Sequence, residues 1–213
     1  QGMSWLGLDH DEEIIYQSKR KDLYNQKTNE LIQKGHAYRC YCTQEELNQK
    51  RAIQLKEGQN PKYDGTCRDL SQDIKREGDY VVRFKSQETE NIVINDQLYG
   101  SIEVDCEELD DFIIFRSNGM PTYHLAVVVD DHDSAITHVI RGDDHLKNTV
   151  KHIQLFKALD FQLPTFIHLP MILGSDGSRL SKRHGSMNIM EYKDQGFLPD
   201  ALLNYLVRLG WSH

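Results

Sequence analysis

No stretch of this chain approaches the about 18 consecutive apolar residues that a membrane-spanning helix needs, and the first residues hold neither the basic run nor the apolar core of a secretory signal. The expectation is a cytosolic protein with no membrane partner. Cysteine is scarce, four in 213 residues, which excludes a disulfide-stapled scaffold. In a reducing compartment the close pair Cys40-Tyr41-Cys42 reads instead as metal ligation. Positive charge is in deficit as well, with 25 Lys and Arg against 33 Asp and Glu and a net charge of -8. Wholesale attraction to nucleic acid is therefore not implied, and any polyanion must be met by local basic patches. There is no Walker A loop, no Gly-x-Gly-x-x-Gly fingerprint, no serine at a triad-like spacing from a base, no internal repeat and no low-complexity linker. Asp130-Asp131-His132-Asp133 and Asp143-Asp144-His145 have neither a His pair at i, i+4 nor the spacing of an oxygen-rich loop, so they read as capping and turn carboxylates.

What is present is ordinary globular composition, 38% hydrophobic and 27% charged, enough to bury a core. The most informative stretch is Gly177-Ser178-Arg179-Leu180-Ser181-Lys182-Arg183-His184-Gly185, a glycine-bounded basic loop in an acidic chain. Such a loop can close over a polyphosphate, and Lys182 can place a point charge where negative charge builds up in phosphoryl or adenylyl chemistry; the competing reading is a solvated surface loop. The earlier run Ser18-Lys19-Arg20-Lys21 reads as a solvated helix start.

Along the chain, Gln1-Gly2-Met3-Ser4-Trp5-Leu6 opens with no initiator methionine and no leading strand, as though cut from something longer. Ser18 is the expected N-cap of a helix with Leu23, Leu31 and Ile32 on its apolar face and Gly35 at its end. Residues 37–113 carry strand-like runs at Tyr80–Phe84, Ile92–Ile94 and Ile102–Val104 and a helix-prone span Gln44–Gly58, which predicts a compact α+β insert. From Phe112 onward the order becomes strand, Asn118-Gly119 turn, a segment from Tyr123 to Val129, strand Thr137–Arg141, helix Asp144–Leu159 and strand Phe166–Leu169. That alternation predicts a parallel sheet of an α/β fold. A last helix runs from Pro199 to Gly210.

Cys40 and Cys42 are two apart, as are Cys67 and Asp69, so on extended segments each pair would share a face. The Asp64-Gly65 turn brings the second pair back to the first. Three thiolates and a carboxylate suit a tetrahedral zinc, Tyr63 competes as fourth ligand, and three buried cysteines without metal are the alternative. Cys106 reads as a packed thiol. Arg141 ends a strand whose carboxyl end is where ligands sit in an open α/β sheet, and its guanidinium can clamp a carboxylate. Tyr123, after the Pro121-Thr122 turn, can add a hydroxyl to the same pocket or be an ordinary rim tyrosine.

Taken together, several segments resemble the bacterial glutamyl-tRNA synthetases of class I. They are Gly2–Asp9, Ala37–Cys42, Tyr63–Arg68, Pro121–Asp131, His138–His145, Leu180–Gly185 and Leu203–Ser212, in family order from end to end. The resemblance implies an α/β fold: the second part of a class I Rossmann-type catalytic domain with an inserted α+β acceptor-binding domain and the start of a helical stem-contact region. By that likeness residues 1–36 and 114–172 belong to the catalytic domain, 37–113 to the insert, and 173–213 to the basic loop and stem-contact region. It further implies the substrates L-glutamate, ATP with Mg2+ and tRNA-Glu, activation through glutamyl-adenylate, and a monomeric parent enzyme.

Residue by residue, Lys182 matches the lysine that neutralises the ATP phosphates as pyrophosphate leaves, within the second class signature at Arg179, Leu180, Ser181, Lys182 and Arg183. His145 matches a position near adenine and ribose, and Tyr123 and Arg141 match the glutamate pocket. Cys40, Cys42 and Cys67 match a zinc knuckle, in which some relatives supply His at the place of Asp69. The first class signature, His-x-Gly-His, and the arginine expected before it do not occur here, nor do the anticodon-binding helices expected after Gly210. The isolated chain is accordingly expected to be a fragment unable to form adenylate. Two further readings are a truncated paralogue that glutamylates a modified base of tRNA-Asp and a tRNA acceptor-binding module without chemistry.

Overall fold

The computed structural model describes residues 1–70, 78–87, 89–105, 109–173, 176–177 and 188–209. These fall into two compact units, one of Gln1–Ile15 with Pro170–His213 and the other Tyr16–Leu169. The smaller unit opens with a single helical turn, α1 (Gly2–Trp5). Its other helices come at the end of the chain.

The larger unit starts with a 3-10 turn, Gln17–Lys19, which holds Ser18 and delays the first long helix, α2, to Lys21–Gln33. Arg20, not Ser18, is therefore the N-cap. Tyr24, Thr28 and Leu31 are buried at i, i+4 and i+7, the spacing of one helix face. The helix stops at Gly35, whose φ of 76° suits glycine alone at low cost. There the His36 amide donates to Leu31 O at 2.9 Å and the Gly35 amide to Ile32 O at 3.0 Å, which satisfies two terminal carbonyls.

A three-stranded antiparallel sheet follows, in the order β1 (Ala37–Cys40), β2 (Val81–Phe84), β5 (Ile113–Phe115). Between β1 and β2 lies α3 (Gln44–Lys56), closed by a capping box in which the Thr43 hydroxyl accepts from the Glu46 amide and the Glu46 carboxylate accepts from the Thr43 amide. The hairpin β3 (Ile92–Asp96) and β4 (Gly100–Val104) belongs to a second sheet. That sheet has the order β4, β3, β7, β6, with β7 (Thr165–Leu169) parallel to both β3 and β6 (His138–Gly142). The expected parallel pair is present. The hairpin that local pattern assigned to the insert also joins it, through the register pair Asp96 and Phe166.

Two helices cover the strands. The run from Tyr123 is helical, α4 (Tyr123–Asp133), and α5 spans Leu146–Ala158. Leu125, Val128 and Val129 of α4 join Tyr24, Leu31, Val82, Phe84, Ile114, Leu155 and Phe156 in one apolar cluster. Val150 and Ile153 of α5 pack with Ile92, Ile94 and Phe166 in a second. Polar ties lock α2 to α4: the Tyr24 hydroxyl donates to Asp130 at 2.8 Å, and Arg20 meets Asp130 at 2.9 Å and also pairs with Asp133. In the smaller unit α6 (Ile189–Asp194) is capped by Asn188, and α7 (Pro199–Arg208) starts with proline at its first turn and buries Leu202.

Leu125 is fully buried, so Leu125→Ala is expected to destabilise the chain by about 2–5 kcal/mol in chemical denaturation. Ile53→Ala on exposed α3 is expected to stay within about 0.5 kcal/mol of the parent.

Candidate functional site

The carboxyl ends of β6 and β7 place Arg141 and His168 side by side in register. The Arg141 guanidinium reaches outward from there into a ring of acceptors. Its Nη2 donates to Thr149 Oγ1 at 2.7 Å and its Nε to His168 Nε2 at 3.2 Å. Longer contacts run from Nη1 to the Tyr123 hydroxyl at 3.3 Å and to His152 Nδ1 at 3.5 Å, and from Nη2 to His145 O at 3.4 Å. The Thr149 and His168 contacts anchor the group. The contacts of 3.3–3.5 Å lie at the weak end of hydrogen-bonding distance and can give way to an incoming carboxylate. Tyr123, 47% exposed, forms the outer wall. Tyr123, Arg141 and His145 are thus brought together, with the rings of Tyr123 and His145 6.2 Å apart.

Sequence reasoning missed His124, His152, Thr149, His168 and Asp96 around this guanidinium. His152 is buried against it, and His124 Nδ1 lies 3.3 Å from His152 Nε2. Burial, then Lys151 and Arg141, holds the His124 pKa down at about 4. Burial, then Arg141 and the neighbouring histidines, holds that of His152 at about 3. Both rings are neutral at pH 7, which leaves Arg141 as the cation among them. Asp96 is buried under His168, whose Nδ1 is 2.7 Å from Asp96 Oδ2. Burial alone would raise the Asp96 pKa, but hydrogen bonds from the Tyr99 amide, His168 and the Leu98 amide outweigh it and lower it. The signal for this pair was a histidine within the apolar strand Phe166–Leu169, because a polar group there needs a buried partner.

The second cluster lies at the end of β1. Cys40, Cys42 and Cys67 bring their sulfurs within 4.8 Å of one another, and Cys42 Sγ stands 3.7 Å from Cys67 Sγ. Asp69 does not join them. Residues 66–69 form a turn, not a strand, so the alternate-residue argument for Cys67 and Asp69 fails, and the Asp69 side chain is 88% exposed and pairs with Lys85 at 3.3 Å. The competing ligand, Tyr63, fills the gap: its hydroxyl is 3.3 Å from Cys40 Sγ and 3.6 Å from Cys42 Sγ.

These spacings fit a tetrahedral zinc. With Zn–S of about 2.3 Å and Zn–O of about 2.0 Å, the sulfurs would stand about 3.8 Å apart and sulfur and oxygen about 3.5 Å. Burial would raise the Cys40 pKa, but hydrogen bonds from Tyr63 and Arg83 outweigh it and lower it. Burial pushes Cys42 up to about 11. Arg83 lies over the Tyr63 ring, 3.8 Å from its centroid, and screens the site with a fixed positive charge. The basic stretch with Arg179, Leu180, Ser181, Lys182 and Arg183 lies outside the described residues, as does Cys106.

The two lowered histidines set a pH dependence. The unfolded chain takes up their protons near pH 6.5, whereas the folded chain resists until about pH 4 for His124 and about pH 3 for His152. The stability they contribute is whole above about pH 6.5 and declines as pH falls toward 3. Denaturation midpoints measured from pH 7 to pH 4 are expected to fall, and to fall less steeply in the His124→Gln, His152→Gln double variant.

Comparison with known proteins gives this geometry a context. The chain is 52% identical over 213 residues to glutamate–tRNA ligase 1 of Alkalilimnicola ehrlichii, covering all of this chain and 45% of that protein. It is 54% identical over 213 residues to the glutamate–tRNA ligase of Legionella pneumophila, again covering 45% of it. The chain therefore spans about half the length of the curated relatives it matches. Among solved structures, a glutamate tRNA ligase from Elizabethkingia meningosepticum, determined in complex with its amino acid, superposes with a TM-score of 0.87 at 32% identity over 99% of this chain and 50% of that one. The α/β architecture is thus that of a class I Rossmann-type catalytic domain. The model of the class I tRNA synthetase (E and Q) catalytic domain matches residues 1–213, and the chain belongs to that family.

Proposed function

We propose that this chain supplies the amino-acid-binding side of the activation site of a glutamate–tRNA ligase. The observation that supports this most is the Arg141 guanidinium, anchored by Thr149 and His168 at the carboxyl end of a parallel strand, with only long, yielding contacts toward Tyr123. A guanidinium held in this way is suited to clamp a carboxylate of the amino acid. In the proposed reaction a carboxylate oxygen of glutamate attacks the α-phosphorus of ATP, pyrophosphate leaves, and the terminal ribose hydroxyl of tRNA-Glu then takes the glutamyl group and releases AMP. Arg141 and Tyr123 hold the amino acid, with the neutral His152 behind them leaving the guanidinium its full charge. His145 borders the nucleotide. Lys182, within the stretch Arg179 to Arg183, offsets the charge that grows on the departing pyrophosphate, with Mg2+ sharing that load. The reading carries with it a cytoplasmic, monomeric enzyme and residues 37–113 as the part that meets the tRNA acceptor end.

Zinc at Cys40, Cys42, Cys67 and Tyr63 belongs to the same reading. When bound it supplies a structural tie between the end of β1 and the 63–67 turn and leaves no open position for a substrate.

Set in place of the matching segment of the Legionella pneumophila relative, the chain is expected to support glutamate-dependent ATP–pyrophosphate exchange. Lys182→Ala in that chimaera is expected to lower kcat by roughly 10²–10³-fold. Exchange indifferent to glutamate, or undiminished by Lys182→Ala, overturns the assignment. For the metal, elemental analysis of chain purified without chelator is expected to return one equivalent of zinc. Tyr63→Phe and Cys67→Ser are expected to lower that occupancy, and Asp69→Ala to leave it unchanged; loss on Asp69→Ala alone would restore the carboxylate as fourth ligand.

A further inference from the structure

Beneath Arg141 lies a line of polar groups buried away from solvent. Asp96 sits where β3 gives way to its hairpin turn. Its Oδ1 accepts the Leu98 amide at 2.9 Å and the Tyr99 amide at 3.0 Å, and its Oδ2 accepts the His168 amide at 3.1 Å as well as facing His168 Nδ1 at 2.7 Å. A carboxylate can only accept, so the proton of that last contact is on Nδ1. Nε2 then carries the lone pair. It faces Arg141 Nε–H at 3.2 Å, a donor that requires an acceptor, and the Thr149 hydroxyl at 3.0 Å, which can donate here or to His145 O. The hairpin turn fixes the carboxylate, the carboxylate fixes the tautomer, and the tautomer fixes the guanidinium.

Both the His168 and the Asp96 side chains have no solvent exposure. A buried polar pair between strands is costly compared with two apolar residues packed in the same space, so an arrangement of this kind calls for a return elsewhere. The one charged neighbour it orients is Arg141. An arginine side chain carries much rotamer entropy, and immobilising it before the ligand arrives removes that loss from binding.

We propose that Asp96 and His168 are positioning residues that set the plane of the Arg141 guanidinium, so that its Nη edge is presented to a carboxylate of the amino-acid substrate. This rests on the role given above to Arg141. Neither residue contacts the substrate; both act through the arginine.

Two measurements test it. In the 213-residue chain, imidazole 15N shifts are expected to show His168 protonated at Nδ1 and bare at Nε2; the opposite tautomer, or an imidazolium at pH 7, overturns the proposal without any substitution. In the chimaera with the Legionella pneumophila flanks, His168→Phe is expected to raise the KM for glutamate roughly tenfold or more, with the KM for ATP within about twofold. His168→Gln, whose amide offers a donor to Asp96 and an acceptor to Arg141, is expected to recover part of the loss. An unchanged glutamate KM in a folded His168→Phe chimaera, or no difference between Phe and Gln, also overturns it. Should the unsubstituted chimaera show no dependence on glutamate, the activity reading fails, while the 15N shifts still decide whether His168 orients Arg141.

Discussion

The half-buried Arg141 guanidinium draws acceptors from several elements, and it does so at the carboxyl ends of the parallel pair β6 and β7. The register that sets Arg141 opposite His168 places the Nε acceptor. The first turns of α5 place Thr149 and His152, the 3-10 turn Asp143–His145 before it places His145, and the start of α4 places Tyr123. Elements distant in sequence thus converge on one half-buried charge and supply part of the solvation that water would otherwise give. The apolar clusters hold α4 and α5 where those acceptors must be, so packing and site geometry are one constraint seen from two sides.

The sulfur cluster at the end of β1 follows a different logic. There three sulfurs are gathered at one place, and the groups around them are the Arg83 guanidinium over the Tyr63 ring and the Tyr63 hydroxyl between two of the sulfurs. The 63–67 segment is held by its own contacts, with the Thr66 amide donating to Asp64 at 3.2 Å and the Cys67 amide to the Tyr63 hydroxyl at 3.0 Å. These bonds set Tyr63 and Cys67, and the pairing of β1 with β2 sets Cys40, so that one oxygen and three sulfurs meet from two segments of chain.

Features governed by local chemistry were legible in the sequence. Gly35 ends α2, Pro199 opens α7, Cys40 and Cys42 share a site with Cys67, and Arg141 ends a strand beside Tyr123. What escaped depended on partners far along the chain. Ser18 has the side chain of a cap, but the Gln17–Lys19 turn shifts the helix start to Lys21. Asp69 satisfies the two-residue spacing, yet that spacing has meaning only on a strand, and the chain turns there. Asp96 and His168 lie 72 positions apart and meet only because β3 runs parallel to β7. Periodicity tells a strand from a helix but does not name its neighbour in the sheet.

Helix α3 shows the reverse of the Arg141 neighbourhood. None of its thirteen residues is buried, and a reciprocal hydrogen-bonded box secures its first turn. Beyond that cap it is tied to the chain that follows by Lys50, 2.7 Å from Asp64, and by Gln54 Oε1, which accepts the Lys62 amide at 3.1 Å. Substitutions at its fully exposed positions are therefore close to neutral for folding, and evolutionary drift at those positions is restrained chiefly by whatever the outside of the molecule must meet.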